Sequence, residues 1–202
     1  MQWHQQSSSV SGPVRTTLKR NGNDRSQLTL REEFQLPDNR TQDAVALLKE
    51  DHRTVEELFA KFEKAGGDRR KQEIAERICV ELSIHAMIEE EIFYPACEGK
   101  IEEDLIKEAY VEHDGAKVLI GQIMRGGPDD EFYDAKVKVL QEQIEHHVEE
   151  EEKRLEGMFS QARKAGLDMD GLGAQLAARK AELQADIAKN GLPQPELTTI
   201  ES

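Results

Sequence analysis

Four stretches of this 202-residue chain repeat apolar side chains at intervals of three and four, the period of one helical face. Asp43 stands at an N-cap position, and Leu48, Val55, Phe59 and Phe62 follow until Gly66-Gly67 stops the pattern. A second helix is predicted over 69–94, ending at Pro95, with Ile74, Ile78, Leu82, Ile88 and Ile92 on its stripe. A third, over 102–124, carries Leu105, Ile106, Ala109, Ala116, Ile120 and Ile123 and stops at Gly126-Gly127-Pro128. A fourth, over 130–165, carries Val137, Leu140, Ile144, Leu155, Met158 and Phe159. Four helices of about 20–30 residues with short Gly/Pro breaks describe an all-α, up-down-up-down four-helix bundle over 41–166. Residues 1–40, rich in Ser, Gln, Asn, Thr and Arg without a sustained period, read as a mobile tail. Residues 167–202 read as an additional C-terminal helix over 171–189, with Leu172, Leu176, Leu183 and Ile187 on one face, and a final tail.

A narrow core suits the composition, because only 37% of residues are hydrophobic while 34% are charged. The net charge of −14 argues against a phosphate-reading surface, so neither nucleic acid nor an anionic membrane surface is expected as a partner. No apolar run approaches the roughly 20 residues that span a bilayer. The N-terminus lacks the apolar stretch of a secretory signal; its Ser/Thr/Arg-rich, acid-poor start leaves only a transit peptide open. Two cysteines, Cys79 and Cys97, are too few for a disulfide framework, so the expected location is the cytoplasm.

The chemistry lies in what interrupts the stripes. The first reads Leu48, His52, Val55, Phe59; the second Ile78, Leu82, His85, Glu89, Ile92. The third reads Ala109, His113, Ala116, Ile120, and the fourth Leu140, Ile144, His147, Glu151, Leu155. A residue and its i+4 neighbour share a helical face, so H-x-x-x-E brings imidazole and carboxylate to one point. Each unsatisfied buried polar group costs about 1–3 kcal/mol, and a charge more. Six such groups in one core would exceed the usual net stability of about 5–15 kcal/mol. A shared cation removes the difficulty, and mixed His/carboxylate sets in helical bundles are how di-iron and di-manganese centres are built.

A single histidine in an apolar stripe is more often a hydrogen-bonded core residue than a ligand. Here the coincidence of four stripes, each with its histidine, favours the metal. On the fourth helix His146 with Glu150 competes with His147 and Glu151. The register of Leu140, Ile144, Leu155 and Met158 selects His147 and Glu151, leaving His146 and Glu150 as flanking groups. Tyr110, one turn before His113, is either core packing or a second-sphere group or electron donor.

The order H…H-x-x-x-E…H…H-x-x-x-E, seen as KEDHR, HAMIEEEIFYP, EHD and HHVEEEE, resembles the hemerythrin-like family of HHE cation-binding domains, especially bacterial members. The resemblance implies a four-helix bundle over about 43–165 holding a non-heme di-iron centre. Its two iron ions are bridged by the two carboxylates and an oxo or hydroxo group. The matching positions are His52, His85, Glu89, His113, His147 and Glu151. Oxygen-carrying members place a fifth histidine four residues after that of the third helix, where this chain has Lys117. One iron would then have fewer protein ligands, which argues against simple oxygen carriage. KRLEGMF also lacks the aromatic-proline ending common in relatives.

The leading reading is therefore a di-iron protein that binds dioxygen or reacts with nitric oxide or peroxide. A second is a non-catalytic iron- or oxygen-responsive sensor whose tails and fifth helix contact a protein partner. A third is a structural bundle holding zinc or no metal.

Overall fold

In the computed structural model, the structure describes residues 42–200; the expected mobile tail over 1–40 lies outside the described residues. The helices are α1 (Ala44–Glu63), α2 (Asp68–Ile88), α3 (Tyr94–Cys97), α4 (Glu103–Arg125), α5 (Tyr133–Glu152), α6 (Met158–Lys164) and α7 (Met169–Asn190). A π-helical segment, Glu89–Phe93, joins α2 to α3. Among the described residues there is no strand, and no helix is long and apolar enough to cross a membrane. The Asp43 carboxylate accepts the Ala46 N–H at 3.0 Å and caps α1. Gly67, at φ +83°, supplies the left-handed turn that folds α2 back along α1.

The apolar stripes bury as two clusters. One joins Leu48, Ile84, Ile88, Phe93, Ala109 and Met158 to the inner face of α7; the other joins Val55, Phe59, Leu82, Ala116, Ile120 and Leu140. On α1, α2 and α4 the predicted histidine falls where the helix passes from one cluster to the other, as His52 does between Leu48 and Val55. His147 likewise separates Leu140 from Met158. The polar residues thus form a band between two dry layers.

Two expectations need correction. The predicted fourth helix ends at Glu152, because Lys153 leaves helical geometry at ψ 125° and the chain re-enters only at Met158. A side chain at Gly157 would stand 2.6 Å from the Lys153 nitrogen and 2.7 Å from the Glu151 carbonyl, so the fold-back requires glycine there. Leu155, expected on the stripe, is 64% exposed, whereas Phe159 swings in to stack on His52 at 5.8 Å. The second correction is in the second stripe: Ile92 is half-buried while Phe93 and Tyr94 are fully buried, since the wider π turn advances the register by one residue.

Helix α7 packs against α1 and α2. The approach needs Gly173, whose Cβ would fall on the Gln42 carbonyl oxygen and lie 2.8 Å from the Ala44 nitrogen. Gly173→Ala is expected to cost about 1–3 kcal/mol by overpacking. The denaturant midpoint reads this, and an unchanged midpoint would show that α7 yields at no cost.

Candidate metal centre

All six predicted site residues reach the middle of the bundle, none more than 5% exposed. His52 and His85 face each other with Nε2 atoms 3.0 Å apart; His113 and His147 do so at 3.1 Å. Glu89 Oε2 lies 3.1 Å from His85 Nε2 and 3.5 Å from His113 Nε2. Glu151 Oε2 lies 3.3 Å from His52 Nε2 and 3.7 Å from His147 Nε2. Each carboxylate therefore stands between one imidazole pair and the other. His146 has a 61% exposed side chain and Glu150 is half-buried, so both flank the centre as the register required.

A second set of carboxylates ties down the outer ring nitrogens. His52 Nδ1 is 2.8 Å from Glu152 Oε1, His147 Nδ1 2.7 Å from Glu112 Oε2, and His113 Nδ1 2.9 Å from Glu90 Oε1. His85 Nδ1 faces Asp51 Oδ2 at 3.6 Å, longer than a hydrogen bond. The partners run α1 to α5, α5 to α4, α4 to the π segment and α2 to α1, closing a ring through the bundle. A carboxylate can only accept, so the three bonded Nδ1 atoms carry hydrogen and donate it. That leaves the Nε2 lone pairs of His52, His113 and His147 aimed inward, where facing lone pairs repel unless a proton or a metal stands between them.

Without metal, protons take that place. Burial disfavours His52 as a cation, but Glu151 and Glu152 outweigh it and raise its pKa to about 9. His147 is also raised, against burial, by Glu151 and Glu112. Burial and then the neighbouring His147 push His113 well below the ordinary imidazole range. Burial and the nearby Glu151 raise Glu89; burial opposes, but His147 and His52 hold Glu151 down at about 2. Even so, Glu89 Oε1 remains buried with no hydrogen bond, and Glu151 Oε2 has only the imidazoles at 3.3 and 3.7 Å. A buried carboxylate oxygen without a partner is costly, and it points to a cation.

Tyr94 was not singled out by the sequence. Its hydroxyl donates toward Glu151 Oε1 at 3.2 Å and Glu89 Oε2 at 3.3 Å, and lies 3.2 Å from His113 Nε2. Burial and Glu151 raise its pKa well above that of an ordinary phenol, so it stays protonated. The π segment places it there: Glu89 and Tyr94, five residues apart, share one inward face. Tyr110 packs edge-on to Tyr94, 5.3 Å between ring centroids. Lys117 is buried, and its Nζ is 2.8 Å from Glu90, the carboxylate that holds His113. As an ion-paired ammonium it has no lone pair for a metal.

Ligand atoms of His52, His85, Glu89 and Glu151 lie within 4.8 Å of one another, as do those of Glu89, His113 and His147. The donor set and the orphaned Glu89 oxygen suit a metal cofactor. A protein of a Nostoc species named DNA nickase is 29% identical over 109 residues; the match spans 54% of this chain and 31% of that protein's length. The crystal structure of an HHE cation-binding domain-containing protein from Mycobacterium kansasii matches at a TM-score of 0.63. It is 23% identical, with 74% of this chain and 94% of that one covered, and it shows the fold. The family model of the hemerythrin HHE cation binding domain matches residues 43–159, more than half of the sequence, and the chain belongs to that family.

Proposed function

We propose that this chain holds a non-heme di-iron centre that binds dioxygen or reacts with nitric oxide or peroxide. His52 and His85 would hold one iron and His113 and His147 the other, with Glu89 and Glu151 shared. The carrying observation is the two facing imidazole pairs, at 3.0 and 3.1 Å, with two carboxylates between them. When bound, iron supplies the redox chemistry. The protein supplies the rest: Glu152, Glu112 and Glu90 orient three of the rings by hydrogen bonds, and Asp51 faces the fourth. Tyr94 holds a proton on its hydroxyl toward the shared carboxylates. Lys117, at the place of a fifth histidine, pairs with Glu90 and would not ligate, so one iron would have fewer protein ligands, which favours reaction over simple carriage.

Anaerobic ferrous addition to metal-free protein is expected to load about two irons per chain. Air should then produce the near-ultraviolet charge-transfer bands of a bridged ferric pair. Uptake of zinc alone, or a featureless spectrum after oxygenation, would overturn the reading.

A further inference from the structure

A cavity of about 770 Å³ opens beside the centre, with all four imidazoles on its inner wall. Its sides are apolar, with Val55, Leu82, Ile120 and Ile144 among them. Volumes of about 300–1,000 Å³ enclose organic molecules of drug size. A diatomic gas needs room on the order of a single water site, a few tens of Å³ at most. The space is therefore far larger than the gases require.

The roof is the segment after α7. Residues 192–198 line the cavity, and the chain is latched beyond it. Thr198, Thr199 and Ile200 donate backbone N–H groups, and Thr199 its hydroxyl, to the Asp114 carboxylate at 2.5–3.2 Å. Asp114 is fully buried next to His113, so the roof is fastened at the level of the centre. The far end carries Arg125, whose guanidinium folds back along α4 with Nη1 3.3 Å from where a Cβ on Gly121 would stand. Most carboxylates along the cavity have cations: Asp51 has Lys180, Glu90 has Lys117 and Glu91 has Arg179. Among the described residues Arg125 makes no ion pair, and neither does the exposed Glu196 of the roof. Arg125 stands twelve positions beyond His113, about 18 Å along the helix.

We propose that this cavity binds an amphipathic organic anion, its carboxylate on Arg125 and its apolar body laid beneath 192–198 toward the imidazoles. The proposal rests on the metal reading only for what stands at the inner end. Calorimetric titration of the full chain, metal-free and iron-loaded, with decanoate and with decan-1-ol tests it. Both probes are expected to saturate at about one molecule per chain. Arg125→Gln should weaken decanoate about fivefold and leave decan-1-ol unchanged. Met124→Trp, at the mouth, and Leu197→Asp, in the roof, should weaken both at least about tenfold. Neither residue belongs to the two core clusters, and circular dichroism verifies that both variants fold. No saturable binding to the parent, or binding indifferent to both Met124→Trp and Leu197→Asp, overturns the cavity. Equal loss of both probes in Arg125→Gln overturns the head-group assignment. Decanoate binding with no iron uptake supports the cavity and sinks only the iron reading.

Discussion

A Glu89→Gln chain is expected to take up far less metal than its parent, and to lose the thermal stabilisation that bound metal would confer, while its metal-free form becomes more stable at pH 8. Glu89 offers one oxygen to both imidazole pairs, at 3.1 and 3.5 Å, so an amide there weakens both positions at once. Metal that binds only the folded state stabilises by about 4 kcal/mol at a thousandfold excess over Kd, and that margin disappears with it. The metal-free side has the opposite sign. Burial and the charge of Glu151 raise the Glu89 pKa, so the neutral acid is the form the fold prefers. Its favourable contribution is complete below about pH 4.5 and is lost as pH rises through the raised value. At pH 8 the parent therefore carries the cost of burying Glu89, as an anion or by taking up a proton, and glutamine, of the same shape, removes it. Metal analysis and paired melts at pH 4.5 and 8 read both effects. Full iron occupancy removes Glu89 from the ligand set, and a metal-free variant less stable than its parent at pH 8 contradicts the electrostatic account.

The placement of the four histidines was legible because each sits in phase with an apolar stripe, and a stripe fixes direction. His147 was separable from His146 for the same reason: within the helix His147 continues the phase of Leu140 and Ile144, and His146 does not. Tyr94 was illegible because its inward position depends on a π turn, which adds a residue without changing composition. The outer carboxylates were hidden by abundance. With 41 acidic residues in the chain, Asp51, Glu90, Glu112 and Glu152 look like solvated faces. Each is adjacent in sequence to a residue of the inner set, but the imidazole it faces lies on another helix. The break at 153–157 went unseen because Leu155 happens to keep the helical spacing. The final segment read as a tail because its latch on Asp114 is made mainly by backbone N–H groups, which no side-chain pattern announces.

Metal uptake at pH 7 is expected to release protons, with a stabilisation that grows from pH 6.5 to 9. The metal-free core holds its charge balance with protons on His52 and His147, whose pKa values the surrounding carboxylates raise against burial. For His52 the folded value is about 9 against 6.5, so its contribution is complete below 6.5 and is lost as pH climbs through 9. That loss is on the order of 3 kcal/mol. On the acid side, Glu151 and Glu152, both held at about 2, contribute above 4.5 and fail as pH falls toward 2. The metal-free protein is thus most stable between about pH 4.5 and 6.5. A metal must find neutral imidazoles and ionised carboxylates, so binding displaces those protons and removes the alkaline weakness. The loaded protein then holds its stability to pH 9 while the metal-free one declines. Indicator-dye measurement of protons on anaerobic ferrous addition, with melts across the range, reads both. No proton release, or a stability gap that narrows toward pH 9, would mean that the facing imidazoles do not exchange protons for metal.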